Sequence, residues 1–263
     1  MVPAGSFEDD MQKGRNDMIF YAITDTGRER ASNQDYVFAS DAETGALKNL
    51  FIVADGMGGH KAGEFASEHA VRMALEEIRA NKIKEPVAAL EQAIKKTNQS
   101  IYQIANEDDT KTGMGTTFVA ATICDHHLYV ANVGDSRLYV VEDEHLRQIT
   151  KDHSVVEELI RRGAIQPTST NIYSGYKHKI TRAVGAESDV RVDFFDVPIS
   201  EVEQVLLCTD GLTNMLSDEE IEEVLLSGEK VKQKAEMLIS RANEKGGHDN
   251  ITLIIIDSFK EEV

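Results

Sequence analysis

The stretch that most constrains the fold is an apolar run at residues 50–54, followed at once by the segment Asp55-Gly56-Met57-Gly58-Gly59-His60. An uninterrupted apolar run predicts a strand covered on both faces, because a half-exposed strand alternates apolar and polar side chains. Asp55-Gly56 predicts a tight turn that ends this strand, with a positive φ at the glycine. The Asp55 carboxylate and the Gly56 carbonyl could then bind a hard cation, although a plain turn is the simpler interpretation of this pair alone.

Acidic residues recur beside other apolar runs along the chain. Each of them alone is consistent with a turn or a cap. Together they predict one site assembled by folding, because clusters of carboxylates suit magnesium, calcium or manganese better than zinc or copper. The aspartates in this setting are Asp35, Asp55, Asp135, Asp210 and Asp249.

The charge balance limits the possible partners. The chain has 263 residues, with 28 basic and 46 acidic side chains and a formal net charge of −18. A field of this sign repels nucleic acids and anionic membranes, so neither is an expected partner. A phosphate-bearing substrate would have to bind a local patch of metal ions and arginine.

The length predicts one large domain, which we place at residues 18–258. Residues 1–17 are polar and lack the apolar segment of a secretory signal, so we expect a flexible arm or a cloning remnant there, and residues 259–263 form a tail. No apolar tract is long enough to cross a bilayer. Cys124 and Cys208 lie in apolar strand patterns, which indicates buried thiols in a cytoplasmic protein and leaves a disulfide possible.

Periodicity predicts two helix pairs and many strands. Helices are expected at 63–79 and from Pro86 onward, then after the capping box that starts at Ser217 and at 231–243, with a shorter helix at 154–162. This pattern predicts a layered α+β fold with mainly antiparallel sheets. The polar segment 163–179 is expected to be a mobile surface loop. The strand candidates are 18–25, 36–40, 49–54, 116–123, 127–132, 138–142, 145–149, 191–197, 204–209 and 250–257.

Familiar phosphate-binding and hydrolase motifs do not fit this sequence. A P-loop needs Lys-Ser/Thr after its last glycine, but Gly63 is followed by Glu64-Phe65. The dinucleotide motif needs two residues between its second and third glycines, whereas Gly58 and Gly59 are adjacent. The sequence also lacks His-Glu-x-x-His, paired Cys-x-x-Cys and Gly-x-Ser-x-Gly motifs.

A set of short motifs, each weak alone, is specific when taken in order. The set resembles the metal-dependent serine/threonine protein phosphatases of the 2C family, in their compact bacterial form, over roughly residues 19–257. The motifs are Arg30-x-x-Asn33-Gln34-Asp35, Asp55-Gly56-Met57-Gly58-Gly59-His60, Gly113-Met114-Gly115-Thr116-Thr117, Val133-Gly134-Asp135-Ser136-Arg137, Thr181-Arg182-Ala183-Val184-Gly185, Asp210-Gly211 and Asp249-Asn250.

The resemblance implies a fold and an activity. The fold is a central sandwich of two antiparallel sheets with a pair of helices on each outer face. The activity is hydrolysis of phosphoserine and phosphothreonine in proteins by in-line attack of a hydroxide that bridges two Mn²⁺ or Mg²⁺ ions. Implied partners are phosphorylated proteins, including a cognate serine/threonine kinase, for a monomeric cytoplasmic enzyme.

The resemblance also assigns residues. Asp55 would bridge both ions and the Gly56 carbonyl would ligate one, with Asp35, Asp210 and Asp249 as further partners, some through water. Asp135 would share a third, weaker ion with Asp210. Gln34 departs from the glutamate of many relatives, so the water shell of one ion is expected to differ.

Three side chains are candidates for contact with the substrate. The resemblance gives Arg30 the task of binding the phosphate, for which its bidentate fork is better suited than lysine; a solvated charge cluster is the alternative. His60 and His153 are candidates for protonating the departing alkoxide. The alternatives are that His60 braces the turn and that His153 belongs to a helix start.

There are two alternatives to a general protein phosphatase. A non-catalytic module that binds phosphoproteins would be expected to lack metal ligands, but none of the five aspartates is missing. A phosphatase dedicated to one regulator is a narrower enzyme hypothesis. Such proteins often carry a sensor domain, for which this chain has no room.

Overall fold

The computed structural model describes residues 18–59, 61–165 and 179–257. The helices of these ranges are α1 (Ala62–Ala80), α2 (Pro86–Glu107), α3 (Val155–Arg161), α4 (Asp210–Thr213), α5 (Asp218–Leu225) and α6 (Val231–Glu244), with a 3₁₀ turn at Asp109–Lys111. The strands are β1 (Ile19–Asp25), β2 (Asp35–Ser40), β3 (Leu50–Met57), β4 (Gly115–Thr116), β5 (Phe118–Cys124), β6 (His127–Val133), β7 (Arg137–Glu142), β8 (His145–Gln148), β9 (Asp193–Pro198), β10 (Val202–Cys208) and β11 (Ile251–Asp257).

The strands form two sheets. The first sheet has the order β1-β11-β10-β7-β8, and the second has the order β2-β3-β5-β6-β9, with the short β4 paired to the end of β3. Every strand pair within these sheets is antiparallel. The predicted α+β sandwich of two antiparallel sheets is therefore confirmed.

The hydrophobic core has three layers, and β3 shows why its apolar run is continuous. Ile52 and Ala54 pack toward α1 and α2, whereas Phe51 and Val53 pack between the two sheets. Both faces of the strand are therefore buried, which removes any need for polar positions. A third layer joins the first sheet to α4, α5 and α6.

The two helix pairs cover the outer faces of the sandwich as predicted. Pro86 occupies the first turn of α2, and the Glu85 carboxylate accepts hydrogen bonds from two of its free N–H groups. Ser217 and Glu220 form the expected capping box at α5. The short helix α4 and the 3₁₀ turn were not predicted, because one turn of helix has too few residues to show a period.

The predicted turn at Asp55-Gly56 is wrong. β3 continues through both residues to Met57, and Gly56 pairs with Thr116 of β4 without a positive φ. Glycine is required here for another reason: a Cβ at Gly56 would lie 2.0 Å from the carbonyl oxygen of Gly63, the second residue of α1. The glycine allows α1 to start directly against the end of the strand.

Another strand prediction needs correction and two hairpin turns are confirmed. The predicted strand at 116–123 is two strands, β4 and β5, which separate at Thr117. The hairpins β5–β6 and β7–β8 turn at Asp125-His126 and Asp143-Glu144, all with φ between 51° and 64°. Two consecutive residues of positive φ match the right-handed twist of the paired strands.

Several sequence expectations fall outside the described ranges. These are the arm at 1–17, the tail at 259–263, His60 and most of the loop predicted at 163–179. Cys124 and Cys208 are both buried free thiols, as expected. No described helix combines the length and apolar character needed to cross a membrane.

Candidate metal centre

A cavity of about 560 Å³ opens at one end of the sandwich. Its wall combines the end of β3 with α4 and with loops that adjoin strands of both sheets. Among the predicted site residues, those that line it are Arg30, Asp55, Gly56, Asp135, Asp210 and Asp249. Asp35 is not part of the lining, because it lies buried beside Asp55 on the neighbouring strand.

Asp35 and Asp55 face each other across the β2–β3 ladder as register partners. Like charges directly opposite on antiparallel strands destabilise a sheet unless something compensates them. The Thr209 hydroxyl donates to Asp35 Oδ2 at 2.9 Å, but no hydrogen bond between the Asp55 carboxylate and another described side chain is present. This facing pair is the most direct sign of a cation site.

The surroundings of this pair favour the protonated acids. Burial raises the pKa of Asp35 to about 7, and the charges of Asp210 and Asp249 add to the shift while hydrogen bonds from Thr252 and Thr209 oppose it. Burial likewise raises the pKa of Asp55 well above its usual range, with repulsion from Asp35 as the next cause.

Asp135 lies in the turn between β6 and β7, which belong to different sheets. Its side chain is almost fully buried. Burial raises the pKa of Asp135 to about 8, and the charges of Asp210 and Asp152 contribute further. Asp135 is thus close enough to Asp210 for the two carboxylates to interact.

Asp210 begins α4 directly after β10 and Thr209. The side-chain amide of Asn214, one helical turn further on, donates to Asp210 Oδ2 at 2.8 Å. Asn214 also lines the cavity, and sequence reasoning missed it. The available signal was the spacing of four residues from Asp210, which becomes meaningful only if a helix starts at the aspartate.

The backbone of Asp55 is fixed by two threonines of the β4–β5 segment. Thr117 Oγ1 accepts a hydrogen bond from the Asp55 amide at 2.8 Å, and Thr116 Oγ1 donates to the Asp55 carbonyl at 2.8 Å. Thr117 also bonds the hydroxyl of Ser136 at 2.8 Å. These three residues form a framework that fixes the backbone at Asp55.

Arg30 lies at the rim and forms an ion pair with Asp249, with Nη2 2.8 Å from Oδ2. Asn250 orders the loop that carries the arginine. Its side chain accepts from the Gln34 amide at 2.8 Å and donates to the carbonyls of Thr26 and Ser32 at 2.8 and 3.0 Å. Arg30 is therefore held at the cavity rather than left in a solvated charge cluster.

Other lining residues were not predicted as part of the site. Ile180 and His248 line the cavity, and so do Met57 and Met215. Met114 packs in the core, with no exposed surface. Gln34 also lines the cavity, and its carbonyl accepts hydrogen bonds from the Gly56 amide and the Ser67 hydroxyl.

The donor set fits hard divalent cations. The convergent side chains are carboxylates, which prefer magnesium, calcium or manganese. Within the described ranges, no group of three or more His, Cys, Asp or Glu side chains is arranged to hold an ion by itself. Backbone carbonyl oxygens, such as that of Gly56, and water would therefore have to complete the ligand shells, as magnesium sites usually require.

Comparisons with known proteins agree with this fold. Residues 26–252 match the family model described as protein phosphatase 2C. A Listeria innocua protein named serine/threonine phosphatase stp is 42% identical over 240 residues, which are 89% of this chain and 93% of that protein. The chain therefore belongs to the protein phosphatase 2C family.

Solved structures of similar chains have the same architecture. The S. agalactiae serine/threonine phosphatase superposes with a TM-score of 0.84 at 34% identity, covering 91% of this chain and 99% of that chain. The catalytic domain of the serine/threonine protein phosphatase PstP, in complex with 2 manganese ions, gives a TM-score of 0.77 at 32% identity, covering 91% of this chain and 97% of that one.

Proposed function

We propose that this protein is a metal-dependent protein serine/threonine phosphatase. The observation that carries the proposal is the facing pair Asp35–Asp55, surrounded by further carboxylates at a cavity whose rim holds Arg30. Names of relatives support the same activity, since the matching proteins are serine/threonine phosphatases.

The proposal assigns the carboxylates to metal ions. Asp55 would hold both of two Mn²⁺ or Mg²⁺ ions, and the Gly56 carbonyl would supply a further ligand to one of them. The other ligands of these two ions are Asp35, Asp210 and Asp249, directly or through water. Asp135 and Asp210 would together hold a third, weaker ion. The PstP structure with 2 manganese ions supports the choice of metal.

Because these acids are buried, binding of metal ions would change their protonation. Desolvation and mutual repulsion raise the pKa values of Asp35, Asp55 and Asp135. A divalent cation stabilises the ionised carboxylates and displaces their protons, so metal affinity rises with pH. When bound, two such ions supply an activated water as nucleophile and offset negative charge on the phosphoryl oxygens.

The protein's own residues bind and orient the substrate. Arg30 offers a planar, always charged fork that can bind two phosphate oxygens at once. The Asn214 amide keeps the Asp210 carboxylate in one orientation, and Thr117 fixes the Asp55 backbone. The role of His60 in protonating the departing alkoxide stays a prediction, because this residue lies outside the described ranges.

The substrates we propose are phosphorylated proteins, including a serine/threonine kinase whose phosphorylation this enzyme reverses. The net charge of −18 disfavours nucleic acids as partners. We further propose that the protein is monomeric and cytoplasmic; the two free buried thiols support the location.

Hydrolysis of p-nitrophenyl phosphate and of a phosphothreonine peptide, each with added Mn²⁺, tests the function. We expect turnover that EDTA abolishes and Mn²⁺ restores. Asp55→Asn and Asp210→Asn should lose turnover while keeping the far-UV circular dichroism of the unmodified protein. Asp125→Asn is the matched control, because Asp125 lies in an exposed hairpin turn at the end of β5 that is remote from the cavity. Binding of Mn²⁺ without any turnover would contradict the proposed activity.

A further inference from the structure

The imidazole of His153 lies inside the protein, with 5% of the side chain exposed, and does not line the cavity. The Gly134 amide donates to its Nδ1 at 3.0 Å, and the His153 amide donates to the Gly134 carbonyl at 2.9 Å. Both backbone polar groups of Gly134 therefore bind the same residue. On the opposite side of the ring, Nε2 lies 3.1 Å from Asp193 Oδ2.

These partners define the tautomer of the ring. A backbone amide only donates, so Nδ1 carries no hydrogen and Nε2–H donates to Asp193. Arg182 Nη1 also lies 3.1 Å from Nε2, but two N–H groups cannot bond each other, and this guanidinium donates to Asp193 Oδ1 at 2.9 Å. Burial lowers the pKa of His153, the Asp193 hydrogen bond opposes the shift, and the Arg182 charge adds to it.

Gly134 is confined from the other side as well. Its φ is +110°, and an added Cβ would lie 2.6 Å from Thr117 Cγ2. Thr117 in turn accepts the hydrogen bond from the Asp55 amide. The turn that carries Asp135 is thus held between His153 and the residue that fixes Asp55.

His153 also contacts the segment 179–181, which forms another part of the cavity wall. The Thr181 amide donates to the His153 carbonyl at 2.6 Å. The amide of Val155, two residues after His153, donates to the Lys179 carbonyl at 2.8 Å. Between these two contacts lies Ile180, which lines the cavity. One residue therefore contacts both the Gly134–Asp135 turn and the wall at 179–181.

We propose that His153 is a positioning residue, which through its Nδ1 acceptor sets the conformation of the Gly134–Asp135 turn and thereby presents Asp135 to the third metal ion. This inference rests on the proposed function for the role of Asp135. The position of His153, between the turn and the segment 179–181, ties the geometry of that ion site to the adjoining cavity wall. His153 does not contact the substrate in this arrangement.

Two substitutions of His153 test the contacts of its two ring nitrogens separately. In His153→Asn the side-chain oxygen occupies the place of Nδ1 and can accept from Gly134, but the side chain is too short to reach Asp193. In His153→Gln the amide reaches toward Asp193, but no acceptor remains at the δ position. We expect His153→Asn to keep the Gly134 contact and His153→Gln to lose it.

The readouts are amide exchange by NMR and Mn²⁺ binding by isothermal titration calorimetry, both without substrate. In His153→Gln we expect exchange at Gly134 to be about tenfold faster and the weakest Mn²⁺ site to lose affinity by about tenfold, as for one lost buried hydrogen bond. His153→Asn should stay within about threefold of the unmodified protein in both measurements. Equal losses in both variants, or unmodified behaviour of His153→Gln, would overturn the proposal.

A measurement on the unmodified protein keeps the test decisive if a variant does not fold. Long-range ¹H–¹⁵N NMR should show His153 with hydrogen on Nε2 and a bare, hydrogen-bonded Nδ1. Hydrogen on Nδ1 would overturn the proposal. If these signatures and the Mn²⁺ effects are found while the protein hydrolyses no phosphoester, the positioning role stands and the proposed phosphatase activity fails.

Discussion

The guanidinium of Arg30 donates to the carboxylate of Asp249, with Nη2 2.8 Å from Oδ2. This ion pair joins two proposed roles, because Asp249 is assigned to a metal ion and Arg30 to the substrate phosphate. Half of the Arg30 side chain remains exposed, so the fork is held at the cavity but accessible. An arginine that is already ordered loses less side-chain entropy when the phosphate binds.

Arg30→Lys should lower kcat/KM for a phosphothreonine peptide by about tenfold or more, because an ammonium group cannot bind two phosphate oxygens in a planar fork. Steady-state kinetics at saturating Mn²⁺ provides the measurement. Arg28→Lys, two residues earlier on the same loop, should retain the activity of the unmodified protein. Equal effects of the two substitutions would show that the charge of the loop matters rather than the fork of Arg30.

Asn214→Ala should weaken Mn²⁺ binding by about 10- to 100-fold, the usual effect of removing a group that orients a metal ligand. The reason is that Asp210 Oδ2 loses its 2.8 Å hydrogen bond and can rotate. Calorimetric titration with Mn²⁺ measures the change. Asn106→Ala removes a similar bond from an exposed helix, 2.7 Å long to the Tyr102 carbonyl, and should leave Mn²⁺ affinity unchanged. Unaltered binding by Asn214→Ala would argue against an orienting role.

The stability of the metal-free protein should depend on pH through Asp35. Its pKa is about 7 in the folded state against 3.8 for the free side chain, so the folded state binds the proton more tightly. This contribution is fully present below pH 3.8 and is lost as the pH rises to about 7. In EDTA, the melting temperature should therefore fall between pH 5 and pH 8 more steeply in the unmodified protein than in Asp35→Asn, where this proton is absent.

Mn²⁺ should reverse that trend, because the ion competes with protons for the same carboxylates. The stabilisation that Mn²⁺ provides, measured as the difference in melting temperature between Mn²⁺ and EDTA, is expected to grow with pH. Parallel pH profiles of the unmodified protein and Asp35→Asn in EDTA would contradict the buried position of this acid.

Asn250→Ala should destabilise the fold, because it removes the hydrogen bonds that the Asn250 side chain makes with the Gln34 amide and with the carbonyls of Thr26 and Ser32. These residues are half-buried or exposed, so a cost of about 0.5–1.5 kcal/mol is expected for each lost hydrogen bond. Urea unfolding measures the loss, which corresponds to about 2–4 °C in melting temperature per kcal/mol. Asn250→Asp keeps the acceptor for the Gln34 amide and should be the milder substitution; the reverse order would show that repulsion between the new carboxylate and the two carbonyls outweighs the retained bond.

Much of the architecture follows from local sequence patterns. The apolar run of β3 predicts a strand buried on both faces, and the structure confirms it by packing alternate residues against helices and against the other sheet. The capping box at Ser217 and the proline at the start of α2 define their helices for equally local reasons. Such features are decided within a few residues, so the sequence contains enough information to predict them.

Features that depend on distant residues were predicted less well. Asp55-Gly56 looks like a turn in sequence, yet the strand continues because β4, some sixty residues later, pairs with it. His153 looks like a candidate proton donor, but its ring faces Gly134 and Asp193 inside the protein. No local pattern shows which way the side chain of a loop residue such as His153 faces, and the ligand set itself required the full ordered series of motifs.

The carboxylates of the site are supplied by both halves of the sandwich. Asp35 and Asp55 lie on the second sheet, whereas Asp210 follows a strand of the first. The apolar layer between the sheets, which includes Phe51 and Leu207, therefore also acts as a spacer that determines the distance across the ion site. Substitutions there that thicken or thin this layer would retune metal affinity from the far interior, without touching any group that contacts an ion or a substrate.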